Sequence, residues 1–266
     1  MQHAAALVLA AVLGAVAPRI ALIIDDLGDR PIEGERAVLL PGPIAMAFLP
    51  HTPHARRLAE RAHASGKEVM LHLPLQAVNG DELGPGAIML DTQEGEFRAR
   101  FTESLASVPH VAGINTHMGS LLTRHPGHMQ WLMSAIGETG PLFFVDSYTA
   151  AESIALAFAL EAGIPAARRD VFLDPDPTPA AIEYQFARLV RLAHARGSAI
   201  GIGHPYPATL EVLERELPRL AEYGVELVSV SQVIAAQASP QRGVNQRDQA
   251  DSAHHPAEGH PPAGQQ

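Results

Sequence analysis

One pattern constrains the fold of this chain more than any other. Apolar runs of strand length recur along it, most are followed by a helical stretch, and several carry polar residues at their C-terminal ends. The runs fall at 20–25, 42–50, 67–75, 111–117, 142–147, 167–174, 198–204 and 225–234. Helical periodicity occupies 52–66, 94–109, 126–140, 151–163, 179–197 and 208–224. Thr52 and Pro53 open the first of these helices and Gly66 suits its end. Strands alternating with helices predict a parallel sheet covered by helices. For 266 residues this is an open doubly wound sheet or a (β/α) barrel. Neither G-x-G-x-x-G nor G-x-x-x-x-G-K-[ST] occurs, so a dinucleotide or P-loop site lacks its signature.

Composition narrows the chemistry. A formal charge of −10 argues against a nucleic-acid partner, which needs clustered Lys and Arg. With no cysteine there are no disulfides, thiolate metal sites or cysteine nucleophiles. The apolar stretch Ala4–Ala17 is shorter than the roughly 20 residues of a membrane span. With "AVA" at 15–17 it reads as a signal-like segment, although no positive n-region precedes it. The expectation is a periplasmic or secreted location, with no stable membrane span in the mature protein. From about residue 237 to the end the chain is rich in Pro, Gln, Gly and His and poor in apolar residues, so a disordered tail is expected. The domain reading is therefore 1–18 signal-like, 19–236 folded and 237–266 tail.

The functional signal is where polar residues fall. "IALIIDD" ends in Asp25 and Asp26, "EVMLHLP" carries His72, and "AGINTHMGS" carries Asn115, Thr116, His117 and Ser120. "FFVDSYT" brings Asp146 and Ser147, the next run ends at Asp174, and "GIGHPYP" brings His204. Parallel α/β folds build active sites at the C-terminal edge of the sheet. Any one of these residues alone reads more simply as a turn or core residue; together they share one structural address. One carboxylate and two imidazoles make a three-ligand set for zinc or a similar divalent cation. A second carboxylate beside the metal can accept a proton from bound water, and a histidine opposite can protonate a leaving group. Adjacent Asp side chains point oppositely in a regular strand, so both reach one site only if the chain turns there.

"IALIIDDLG", "VMLHLPLQ", "GINTHMGS", "FFVDSYT" and "GIGHPYP", in this order, resemble the divergent polysaccharide deacetylase family over about residues 18–236. The resemblance implies an irregular (β/α) barrel of seven to eight strands holding a divalent metal, zinc by preference. It implies Asp25 as catalytic base, Asp26 as metal ligand, His72 as a second ligand and His204 as general acid. The related motif's second histidine is replaced by Gln76, and His117 is the implied substitute ligand. Asp146 is expected to orient His204 or shape the site. Asn115, Ser120 and Gln76 are candidates to bind substrate, with supporting positions behind the ligands as the alternative for Asn115 and Ser120. The Arg that orients the base in such enzymes has no counterpart recognisable in the sequence.

Three functions compete at this stage. The first is a metal-dependent hydrolase that removes acetyl groups from amide nitrogen of a cell-envelope glycan or peptidoglycan-like carbohydrate. The second is a catalytically impaired glycan-binding or scaffold protein that keeps the pocket. The third is a phosphodiesterase-like hydrolase with two metals. Aromatic residues make up only 5% of the chain, few for gripping a long sugar by stacking. Trp131 is read as core or rim, and the tail histidines 254, 255 and 260 as solvated.

Overall fold

A computed structural model describes residues 17–80 and 82–238. Residues 1–16 of the signal-like segment and all of the tail beyond 238 lie outside the described residues. The order is β1 (Arg19–Leu27), α1 (Pro31–Leu39), β2 (Ala45–Phe48), α2 (Ala55–Ala64), β3 (Val69–Leu75), α3 (Glu94–Ser107) and β4 (Val111–Met118). Then come α4 (Pro126–Thr139), β5 (Phe143–Asp146), α5 (Ala155–Glu161), β6 (Ala166–Arg168), β7 (Val171–Phe172) and α6 (Pro179–Arg196). β8 (Ser198–Gly203), α7 (Pro207–Glu216), β9 (Glu226–Leu227) and α8 (Val230–Ala238) complete the chain. No helix among the described residues is long and apolar enough to cross a membrane.

The described residues form one nine-stranded sheet in the order β6-β5-β4-β3-β2-β1-β8-β7, with β9 pairing the start of β1. Each recorded ladder is parallel. The sheet curls into an irregular, open barrel with helices outside. Its seam lies between β6 and β7, which no ladder joins among the described residues. The chain crosses that seam at Arg169 and Asp170: Arg169 N–H donates to Asp146 of β5, and Asp170 N–H to Ile200 of β8.

Strand alternation sorts the core into two layers. Outward positions such as Leu22, Ile24, Leu71, Leu73 and Phe144 pack under the helices. Inward positions, among them Ala21, Ile23, Met70, Val145, Ile200 and Ile202, make a separate inner cluster. The side chains of Ala45, Ala47 and Ala167 in that cluster are small, which suits a narrow, tightly curled interior.

Two expectations need correction. The run 225–234 is not a long strand: β9 is two residues, and α8 follows. Val230, Val233 and Ile234 of α8 pack into the inner cluster and cover the end of the barrel opposite the strand tips. The Glu68 carboxylate accepts from Val230 N–H at 2.9 Å and Ser231 N–H at 3.3 Å, satisfying the first helical donors. The V-x-V alternation of "VELVSVSQV" resembled a strand because a helix buried along one stripe can show the same local spacing. The second omission is α1. It is short, begins with Pro31 and contains Gly34, so its periodic signal is weak. Gly34 is where Leu58 of α2 approaches: a Cβ there would lie 2.6 Å from Leu58 Cδ1.

Candidate active site

The inner face changes character toward the strand tips. Ala21 and Ile23 are followed two residues on by Asp25, Met70 by His72, and Ile200 and Ile202 by His204. On β4 the same parity carries Asn115 and His117, with His72 paired directly to Asn115 in the β3–β4 register. A period of two therefore stacks a polar layer on an apolar floor. The polar layer lines a cavity of about 190 Å³ that includes Asp25, Asp26, His72, His117, Arg169 and His204.

Parity alone would turn Asp26 away. The β1–β2 register breaks between Ile24 and Leu27, and Asp26 adopts φ 55°, the left-handed region that non-glycine residues rarely occupy. This irregularity brings both carboxylates to the cavity. Gly28 then follows at φ 126°, where a Cβ would sit 2.0 Å from Thr52 Oγ1, so the motif closes on a residue without a side chain. Met118 and Tyr148 also have left-handed backbones, at φ 54° and 52°, where the chain leaves β4 and β5. Backbone strain is thus concentrated around this cavity.

Asp26, His72 and His117 converge. His117 Nδ1 lies 2.9 Å and His72 Nε2 3.2 Å from Asp26 Oδ1. The two nitrogens are 3.3 Å apart. Yet Asp26 Oδ1 is buried and has no well-directed hydrogen bond among the described residues. The three candidate donor atoms all lie within 4.8 Å of one another. Tetrahedral coordination at about 2.0–2.1 Å spaces donor atoms roughly 3.3 Å apart, close to what is found. These residues fit a divalent cation. Burial opposes charge on Asp26, but the approach of His117 and His72 outweighs it and holds the carboxyl well below its ordinary range. Burial likewise opposes protonation of His72, and the charges of Asp25 and Asp26 overcome it and push the imidazole upward. A cation would replace those protons.

Asp25 sits beside this group. Burial raises its carboxyl above the ordinary range against the pull of His72, His204 and Asn115. Its Oδ1 accepts from Asn115 Nδ2 at 2.7 Å. Arg169 lies on the cavity wall, and its guanidinium interacts electrostatically with Asp25. Arg169 Nε and Nη2 donate to the carbonyls of Ser147 and Tyr148 at 2.6 and 2.9 Å, which fixes the guanidinium over the seam. This arginine was not recognised in the sequence because "ARRD" reads as strand interior, whereas Arg169 occupies the crossing between two edge strands.

His204 comes from the far side. Its Nδ1 is 2.9 Å from Asp174 Oδ1, and its Nε2 is 3.8 Å from Asp26 Oδ2. Asp174 Oδ2 accepts from His204 N–H and Thr209 Oγ1–H, each at 2.7 Å. Burial opposes charge on His204, but the hydrogen bond and charge of Asp174, with Asp25 and Asp26, push it up to about 9. Phe172 meets the imidazole edge-on at 5.4 Å and Tyr206 stacks on it at 5.5 Å between ring centroids.

Several expected residues stand elsewhere. Asp146 does not orient His204. It lies at an outward position after Val145, and its oxygens accept from Tyr148 N–H and Ser153 Oγ–H, both at 2.9 Å. The parity of "FFVDS" carried this information. Gln76 is not in the cavity lining; its Oε1 accepts from Leu90 N–H at 2.7 Å, tying down the loop before α3. Ser120 is also absent from the lining, and its Oγ accepts from Val78 N–H at 3.0 Å. Asn115 is fully buried between Asp25 and His72 rather than open to a substrate. Trp131 packs edge-to-face on Phe97, on the α3–α4 side.

The model of the divergent polysaccharide deacetylase family matches residues 22–234. The chain belongs to this family. Among family-level relatives, it is 36% identical over 219 residues to the uncharacterized protein YibQ of Escherichia coli strain K12, spanning 82% of this chain and 68% of that one. It is 34% identical over 212 residues to an uncharacterized protein of Haemophilus influenzae, spanning 80% of this chain and 75% of that one. The crystal structure of the uncharacterized protein ATU2773 from Agrobacterium tumefaciens C58 superposes with a TM-score of 0.78 at 24% identity, covering 83% of this chain and 90% of that one. The chain thus shares a fold with that protein.

Proposed function

We propose that this divergent polysaccharide deacetylase is a metal-dependent hydrolase that removes acetyl groups from amide nitrogen of a cell-envelope glycan or related carbohydrate. The observation that carries the reading is the convergence of Asp26 Oδ1, His72 Nε2 and His117 Nδ1, with their donor atoms within 4.8 Å of one another. These residues would hold zinc or a similar divalent cation, which when bound polarises an acyl carbonyl and acidifies water. Asp25 is the base that takes a proton from the attacking water. His204 faces it across the cavity, and its Nε2 donates a proton to the departing amine. Asp174 keeps Nδ1 of His204 occupied, so that Nε2 is the nitrogen presented to the cavity. Arg169 supplies positive charge near Asp25, in the place where the sequence offered no orienting arginine.

The impaired-scaffold alternative rested on Gln76 and on the missing arginine. The closeness of His117 to Asp26 and His72, and of Arg169 to the cavity, supports the enzyme reading over it. A cavity of about 190 Å³ suits an acyl group and the adjoining atoms of one sugar unit. The test is metal analysis of purified protein followed by acetate release from amino-sugar polymers and oligomers. One metal per chain, lost in His72→Ala and in His117→Ala, together with acetate release, is expected. Purified protein that takes up no stoichiometric metal would overturn the reading.

A further inference from the structure

Asn115 is fully buried and uses both ends of its amide. Its Oδ1 lies 2.8 Å from His72 Nδ1, and its Nδ2 donates to Asp25 Oδ1 at 2.7 Å. The two contacts fix each other. Only the N–H side of the amide can satisfy a carboxylate, so Oδ1 must face the imidazole. An oxygen acceptor at Nδ1 requires the proton there, which leaves the lone pair on Nε2. Nε2 is the nitrogen that points at Asp26 Oδ1 and His117 Nδ1. The register supports the arrangement, since Asn115 is the direct cross-strand partner of His72.

We infer that Asn115 is a positioning residue that sets the tautomer of His72 for metal binding and, through the same amide, aims the Asp25 carboxylate. This rests on the proposed metal-dependent function and adds to it a physical tie between ligand and base. A change at either end is transmitted to the other, because one planar amide cannot rotate for one partner without misaligning the other.

The experiment separates the two ends. N115D keeps an acceptor for His72 Nδ1–H and removes the amide donor to Asp25. N115L removes both. Zinc affinity is measured by competition with a chromophoric chelator, and the Co(II) absorption spectrum reports ligand geometry without turnover. Expected results are zinc affinity near wild type and an unchanged Co(II) spectrum in N115D, with turnover lower by roughly 10²–10³-fold. In N115L zinc affinity falls roughly 10–100-fold. The double variant D25N/N115D restores a donor–acceptor pair with its direction reversed, so it regains thermal stability and holds metal but stays inactive. Imidazole ¹⁵N spectra of the metal-free protein, recorded at a pH high enough for His72 to be neutral, give an independent readout: His72 is the Nδ1–H tautomer in wild type and N115D, and a mixture in N115L. Wild-type zinc affinity in N115L, or a loss in N115D as large as in N115L, overturns the inference. If wild-type protein binds no metal, the proposed function fails first. The tautomer measurement then decides the role of Asn115 by itself, and an unchanged His72 tautomer in N115L overturns it.

Discussion

The cavity brings together two carboxylate–imidazole arrangements that use the same residue types and differ in geometry. At Asp174 and His204, both carboxylate oxygens are engaged by well-directed donors, from the imidazole, a backbone N–H and Thr209. At Asp26, two imidazoles come as close, yet Oδ1 accepts no directed hydrogen bond among the described residues. The first geometry holds a histidine in place and is complete without any ion. The second gathers three possible ligand atoms within 4.8 Å of one another, the arrangement proposed to hold a cation. Residue type alone therefore does not assign a role; the direction of the lone pairs does.

The sharpest test of this contrast is its effect on turnover. Asp25→Asn is expected to lower the rate by about 10³–10⁴-fold with metal content unchanged, because it removes the base and leaves the ligands. Loss of metal in that variant would blur the contrast. Asp174→Asn is expected to lower turnover roughly 10²–10⁴-fold, also without metal loss, by releasing the His204 tautomer. Asp146→Asn serves as its control and should leave the rate within a few-fold of wild type. Equal losses in the two would break the assignment of His204 to Asp174.

Smaller effects appear in stability. Asp174→Ala strands the donors of His204 and Thr209 and should destabilise the fold by about 3 kcal/mol in chemical denaturation. Zinc should raise the wild-type unfolding free energy by about 2.7 kcal/mol when free metal is a hundred times its dissociation constant. Asp26→Asn should abolish that increment while leaving the metal-free stability closer to wild type than Asp174→Ala does. A zinc increment retained in Asp26→Asn would count against the ligand set. Far from the cavity, Arg36 and Glu214 form an exposed pair at 2.6 Å, and Arg36→Ala should cost no more than about 1 kcal/mol.

Much of the site was legible because alternation is a local property. Asp25, His72, His117 and His204 each follow an apolar run, and their positions survived folding as expected. Asp146 was misjudged although its parity was readable, since a strand-end carboxylate attracts attention whichever way it faces. Gln76 and Ser120 looked like substrate contacts by adjacency to the motifs, but polar residues beside a site are also needed to hold its loops. Arg169 could not be found by motif because its role depends on a seam between β6 and β7, which arises from how far the sheet curls.

The sequence by itself determined the parallel strand–helix order, the tip at which polar residues gather and the family to which the chain belongs. Those properties follow from hydrophobic periodicity and from short motifs. Tertiary structure decided which lone pairs meet. It turned Asp26 inward through a left-handed residue and a register break, gave His204 to Asp174 rather than Asp146, and set one amide of Asn115 between base and ligand. Directional contacts between residues far apart in the chain are set by curvature and register, which no local pattern encodes.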